Sequence, residues 1–443
     1  MKNIIIINGN TDLNRGDQAL IWESARVVQD IYDNDVSISL IESGSNAEDI
    51  ERQIVQTRNL GYTFLSPILK HPNRFSSQND SVQYRIVDYC KWGVIALFDL
   101  FASVLLLSRF SLFNVIGSKL FNKRDRQTVN AIKSADAIYI KGGGFMHSYG
   151  KFTDPYLTYY SLYLALLAIR YKKEIFILPN SIGPLKNSLS RFIIKYIFKR
   201  SKFVSARENI SKQFVEDQLH IKCQLYSDLG YYLTKSEINT SEYLSNNNIP
   251  LDKPKVGITL RPYRFPESDN PADKYQNYID SIVSFATYLS DKNYHVVFCA
   301  HTMGPSAHEQ DQIAIEDVLK KLPTTVTHSY ICNESLNCRD IMSIYSTFEY
   351  LVGTRFHSVI FSQNVNVPTI AISYGGNKGD GIMKDLKLDE FVIPMNQISA
   401  EKLISSFDKI IERKEEYKES LHRLHLTHAK ERESLINDIS ALV

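Results

Sequence analysis

Short runs of apolar, mostly β-branched residues recur along this chain, separated by longer stretches of helical periodicity. The first is Ile4 to Ile7, closed by Asn8-Gly9-Asn10. A run that is apolar at every position suits a strand buried on both faces, and strands alternating with helices build parallel sheets from βαβ units. In the first half, strands are expected at residues 4–8, 36–41, 137–140, 175–179 and 203–206, with helices at 17–31, 156–171 and 190–200. A second series has strands at 255–261, 295–300, 325–328, 350–353 and 369–373, and helices at 274–290, 308–322 and 338–346. Residues 233–254, rich in Asn, Ser, Thr and Lys, read as a linker between the two. The expected class is α/β: two Rossmann-like domains facing a cleft, over residues 1–240 and 252–395, with helices over 396–443 closing back over the core. In such sheets ligands bind outside the carboxyl ends of the strands. The loops that follow strands are therefore where chemistry is sought.

Charge and cysteine content narrow the function classes. The 443 residues carry 51 Lys and Arg against 49 Asp and Glu, a net charge of +2, which gives no support to nucleic-acid binding. The five cysteines are odd in number, far apart and without a C-x-x-C pair, so they read as reduced core thiols of a cytosolic protein. Four isoleucines are too few for a secretory apolar region, which takes roughly 7–15 residues, and the expected location is cytoplasmic.

Two stretches break the pattern. Residues 92–117 are mostly apolar, and they include Asp99 and Arg109. A charge at mid-bilayer costs about 2.5–3.5 kcal/mol on insertion scales, which disfavours a span. A helical hairpin lying at a membrane surface and ordinary buried helices both stay open. The C-terminal stretch 410–439 carries apolar residues near 3/4 spacing and reads as a helix closing over the core. Its His422, His425 and His428 are expected on a solvated face rather than around a metal. No cluster elsewhere argues for one.

The strand-end loops supply the candidates. After the first strand, Asn14, Gly16 and Asp17 lie in a polar loop, where Gly16 permits close approach and Asp17 can cap the next helix; G-x-G-x-x-G is absent. After residues 137–140 come Gly142, Gly143 and Gly144, whose backbone N–H groups can meet an anion. Arg207 follows 203–206 at a carboxyl edge, suited to a carboxylate or phosphate, or to an ion pair with Glu208. Arg261 and His301 close two strands of the second half. Arg355 and His357 mark a strand end meeting a helix start, an anion site with a group that titrates near neutrality. Lys378 sits in a further Gly-rich loop.

Taken in order, G-N-x-x-x-N-x-G-D-Q-A, K-G-G-G-F, P-N-S-I-G-P, S-A-R-E-x-x-S, G-x-R-F-H and Y-G-G-N-K-G resemble the polysaccharide pyruvyl transferase family over about residues 3 to 390. The resemblance implies a two-domain architecture of the glycosyltransferase type B kind. It implies transfer of pyruvate from phosphoenolpyruvate onto a sugar of a surface polysaccharide, such as an exopolysaccharide or capsule, or its lipid-linked precursor, as a ketal. Phosphoenolpyruvate would be the donor substrate, with no further cofactor. By motif position, Asn14, Asp17, Arg207, His357 and Lys378 carry over; His357, Asp17 and Asn14 are the expected catalytic set, and Arg207, Arg355, Lys378 and Gly142 to Gly144 the expected substrate-binding set. The segment 92–117 departs from the short connection expected there and suits an undecaprenyl-linked acceptor met at the inner face of the membrane. A nucleotide-sugar glycosyltransferase of the same architecture is the main alternative, because its diphosphate would use the same loops. A non-catalytic assembly factor would leave the cationic loops unexplained.

Overall fold

A computed structural model describes residues 1–9, 11–44, 46–70, 86–306, 309–374 and 377–443. It divides into two units, one of Met1–Asp12, Leu20–Tyr226 and Ser434–Val443, the other of Leu13–Ala19 and Ser227–Glu433. The strands of the first are β1 (Lys2–Ile7), β2 (Val36–Ile41), β3 (Thr63–Leu65), β4 (Ala137–Ile140), β5 (Gly143–Ser148), β6 (Glu174–Leu185), β7 (Phe203–Ala206) and β8 (Gln224–Leu225). They pair in parallel in the order β3-β2-β1-β4-β6-β7-β8, with β5 also on β6. The second unit has β9 (Lys255–Thr259), β10 (His295–Cys299), β11 (His328–Ile331), β12 (Tyr350–Gly353), β13 (Thr369–Ser373) and β14 (Val392–Pro394), all parallel, in the order β11-β10-β9-β12-β13-β14. Both are parallel-sheet α/β units, as the alternation implies.

The central strands are the ones the sequence marks most strongly. Ile4 to Ile7, residues 137–140 and all of β9, β10, β12 and β13 are buried throughout, which is what double-sided covering by helices requires. Differences arise at the edges. β3, β8 and β14 have two or three residues each, too few for a periodic signal. β11 begins at His328, where the expected strand ended, because residues 325–327 are turn, bend and irregular chain.

The expected linker at 233–254 is instead folded into the second unit. It holds the helix Thr240–Asn246, and Arg339 donates from Nε to the Thr234 carbonyl at 2.9 Å. The unit boundary falls at 226/227, ahead of the expected 240, and Leu13–Ala19 belongs to the second unit rather than the first.

The apolar stretch forms two helices, Ile86–Leu107 and Ser111–Lys119. Gly117 lets them close: a Cβ there would lie 2.5 Å from the Leu106 backbone nitrogen. One face of the longer helix is held by the first unit. Tyr163 donates to the Ser103 carbonyl at 3.2 Å, the Ser103 and Tyr159 hydroxyls lie 2.8 Å apart, and Asp99, Ala102 and Leu106 are buried. The opposite face is exposed.

The C-terminal stretch breaks at Arg413 into Ala400–Glu412 and Lys414–Ser440. Its histidines do not form a solvated face. His422 is exposed, but His425 lies 3.0 Å from the Gln363 carbonyl through Nε2, and His428 is buried with its ring 4.3 Å from that of Tyr231. Burial, with His425 beside it, pushes the His428 imidazole down to about 3, against the opposing pull of Asp228. His428 is thus neutral in the fold, while the unfolded chain takes up a proton as pH falls below about 6.5. Stability is lost as pH falls from that value towards 3, by at most about 1.4 kcal/mol per pH unit. Urea unfolding at pH 7.5 and 5.5 should show a larger loss for the wild type than for His428→Phe. Equal losses would contradict the burial argument. None of the five cysteines is in a disulfide; Cys223, Cys299 and Cys338 are buried, whereas Cys90 and Cys332 are exposed and not core thiols.

Candidate functional site

The polar loop at Asn14–Asp17 is sewn into the second unit. Met303 N donates to the Leu13 carbonyl at 2.7 Å, Arg15 N to the His301 carbonyl at 3.2 Å, and the buried Arg15 Nη2 to the Asn333 carbonyl at 2.9 Å. The helix Arg15–Ile31 starts here, and its cap is Asn14 rather than Asp17: the Asn14 Oδ1 accepts from Gly16 N at 3.0 Å and Asp17 N at 3.3 Å. Asp17 lies in the first turn, where a carboxylate complements the helix dipole, and takes a hydrogen bond from Asn14 Nδ2 at 3.1 Å.

His357 meets this loop. It stands in the first turn of the helix Phe356–Asn364, which follows β12, and is 9% exposed. A Cβ on Gly16 would lie 2.0 Å from His357 Nδ1, so only glycine fits beneath the imidazole. The other nitrogen, Nε2, is 3.7 Å from Oδ1 of buried Asp228, whose same oxygen accepts from Gly230 N at 2.8 Å. That separation is ion-pair range rather than a hydrogen bond. Asp228 thereby favours a proton on Nε2, and Nδ1 is the nitrogen turned to residues 14–17.

Beside His357 is a group of charges at the carboxyl ends of β9, β10 and β12. Asp311, fully buried, accepts from His301 N at 3.0 Å and Thr302 N at 2.8 Å, and takes Arg355 Nε at 2.7 Å and Nη2 at 2.6 Å on its other oxygen. Burial raises the Asp311 carboxyl while Arg355 holds it down. Glu309 is raised by burial and by Asp17, with Arg355 and Arg261 opposing. Two carboxylates, Asp17 and Glu309, thus share one neighbourhood with two guanidinium groups. Arg261 lies over the rings of Tyr374 at 4.2 Å and Tyr263 at 5.7 Å, and its buried Nε has no hydrogen-bond partner among the described residues. A cation beside aromatic rings and short of an acceptor at Nε is suited to an anionic ligand.

The second unit therefore brings together Asn14, Asp17, Arg355 and His357. Lys378 lies in the first turn of the helix Asn377–Asp385, but its side chain, like Gly375 and Gly376, falls outside the described residues. Gly142, Gly143, Gly144 and Arg207 belong to the first unit. There the glycines do not form an open loop: Gly143 and Gly144 start β5, with Gly143 paired to Asn180 of β6. Gly144 leaves room for Arg207, whose Nη2 would be 2.8 Å from a Cβ. Arg207 itself is sealed in, its side chain 0% exposed, with Nε on Ser181 Oγ at 2.8 Å and 3.6 Å from Glu208. The ion pair with Glu208 exists and is buried, so Arg207 orders the ends of β6 and β7.

Sequence reasoning passed over Asp228, Glu309 and Asp311, and left Arg261 without a role. Asp228 follows the two-residue β8, which has no pattern to place it, and Glu309 sits in irregular chain after Gly304-Pro305. Only Arg261, just past the carboxyl end of a buried strand, carried a positional signal. Among the described residues no group of three or more His, Cys, Asp or Glu side chains has metal-binding geometry.

The sequence model of the polysaccharide pyruvyl transferase family matches residues 14–376. The amylovoran biosynthesis protein AmsJ of Erwinia amylovora is 23% identical over 311 residues, covering 67% of this chain and 71% of that protein. Among solved structures, a glycosyltransferase from Rickettsia africae is similar with TM-score 0.55 at 11% identity, over 100% of this chain and 98% of that one. The MnaA–UDP structure from S. aureus is similar with TM-score 0.59 at 10% identity, over the same shares. At these identities the structural likeness shows the fold, which is of the glycosyltransferase type B kind.

Proposed function

The chain belongs to the polysaccharide pyruvyl transferase family, and from that premise we propose that it moves pyruvate from phosphoenolpyruvate onto a sugar of a surface polysaccharide or its lipid-linked precursor, forming a ketal. The observation that carries this reading is His357, held between Asp228 and Gly16 beside the arginines and carboxylates of the second unit.

Phosphoenolpyruvate offers a carboxylate and a phosphate, and Arg261 and Arg355, with Lys378, are the proposed cations for them. In the first step an acid delivers a proton to the methylene carbon while a sugar hydroxyl, losing its proton to a base, adds to C2. In the second step the C2–O bond to phosphate breaks, inorganic phosphate leaves, and a second hydroxyl closes the ring with loss of its own proton. His357 is the proposed acid for the methylene carbon, and Asp17, positioned by Asn14, the proposed base for the hydroxyl. Glu309, whose proton affinity is raised, is suited to carry the second proton. The scheme needs no resident cofactor. The work would be done in the cytoplasm, at the inner membrane face if the acceptor is undecaprenyl-linked.

The expected result is that phosphoenolpyruvate raises the melting temperature and that inorganic phosphate is released when a panel of lipid-linked saccharides is added. Stabilisation by a UDP or GDP sugar, with none by phosphoenolpyruvate, would instead identify a glycosyltransferase.

A further inference from the structure

We propose that the first unit docks on an anionic lipid bilayer through the helical pair Ile86–Leu107 and Ser111–Lys119 and the neighbouring helix Ser188–Phe198, with a lipid tail seated in the groove beside them. The docking deepens the lipid-linked reading of the acceptor but is read out without it.

Three observations converge on this surface. The first is apolar exposure in a regular stripe. Val94, Leu97, Phe101 and Val104 recur at helical spacing and are 52 to 68% exposed, and Phe110, Leu112 and Phe113 continue the surface on the shorter helix. Cys90–Leu107 has a mean hydropathy of 1.9 but is only 22% buried, and so long an apolar face is uncommon on a surface that meets only water. It is nonetheless not placed to span. Asp99 and Ser103 face into the unit, where Ser103 is bonded to Tyr159 and Tyr163, so the helix lies along the protein with its other side free.

The second observation is a groove of about 420 Å³ lined by Leu100 of the same helix, Tyr156 and Tyr159, and Leu189, Phe192 and Tyr196 of Ser188–Phe198. Its walls are almost wholly apolar, and Leu189 and Phe192 at its edge are more than half exposed. An alkyl or isoprenoid chain is the ligand such walls accept.

The third is charge, which selects a bilayer over a second protein. Residues 100 to 207 carry 18 Lys and Arg against 4 Asp and Glu, in a chain whose net charge is only +2. No acidic residue occurs from 100 to 124, where the exposed apolar residues are followed by Lys119 and Lys123, while Arg124 is paired with Glu42. None occurs from 175 to 207, where Ser188–Phe198 is flanked by Lys186, Lys199 and Arg200, while Lys202 is paired with Glu174. Exposed aromatics and leucines on segments so rich in Lys and Arg fit the interface of an anionic leaflet.

Flotation of the full chain with vesicles tests this. Wild type should float with phosphatidylglycerol-containing vesicles and far less with pure phosphatidylcholine. Leu97→Glu/Phe101→Glu and, separately, Lys123→Glu/Lys186→Glu/Lys199→Glu should each lower the bound fraction by about tenfold or more. All five side chains are exposed, and both variants should keep the wild-type melting temperature and, on a water-soluble saccharide acceptor, the wild-type rate. Failure of wild type to float, equal flotation of both variants, or a vesicle-free dimer that the Leu97/Phe101 variant dissolves would overturn the proposal. None of these outcomes bears on whether phosphoenolpyruvate is the donor.

Discussion

Replacing His357 by alanine is expected to slow pyruvyl transfer by about 10²- to 10⁴-fold, the usual loss when a positioned acid–base group is removed. The fold should survive, because the side chain sits over a glycine rather than in a packed apolar core. The effect should fall on kcat with little change in the KM for phosphoenolpyruvate, since cations rather than this imidazole are assigned to the anion. Asp228→Asn tests the arrangement from behind. Asp228 lies 3.7 Å from Nε2 and favours the charged imidazole, so its loss lowers the imidazole's proton affinity. The limb of the pH–rate profile that reports His357 should then move to lower pH, whichever protonation state is the active one. A purely structural Asp228 would change stability and leave that limb in place. An alanine variant at 357 with more than half the wild-type kcat would remove the histidine from the chemistry.

The parts of this arrangement that were legible in the sequence are those with a local signature. Ile4 to Ile7 and the runs that became β9, β10, β12 and β13 are mostly apolar and buried at every position, and burial on both faces is the physical reason for that pattern. His357 and Asp17 could be singled out because each follows a strand closely. What could not be read is which unit a strand-end loop joins. Residues 13–19 follow β1 of the first sheet in the chain, yet bond to His301, Met303 and Asn333 of the second unit. That pairing depends on hydrogen bonds between residues 286 to 318 positions apart in sequence, which leave no periodic trace. The surroundings of Gly144 could not be read for a related reason. A glycine in a phosphate loop and one that makes room for a buried guanidinium look alike in sequence, and only the position of Arg207 separates them. Asp311 and Glu309 had no signature, since their meaning comes from the arginines they face.

Asp311→Ala is expected to destabilise the second unit by about 3–5 kcal/mol, the cost of stripping one partner from a buried ion pair. Asp311 is fully buried and satisfies four donors, two from Arg355 and two from the backbone where the chain leaves β10. Its removal strands a guanidinium that is 8% exposed and frees the His301–Thr302 turn that receives Arg15. Urea unfolding measures the loss, and a value under about 1 kcal/mol would mean the pair does not organise the turn. The companion variant Asp311→Leu/Arg355→Met separates stability from binding. Replacing a buried ion pair by apolar residues of similar volume is often neutral, so much of the stability should return. Donor binding should not return, because the cation assigned to phosphoenolpyruvate is gone. If this double variant recovers stability and still binds phosphoenolpyruvate as wild type does, Arg355 serves the fold alone, and the anion must be held by Arg261 and Lys378.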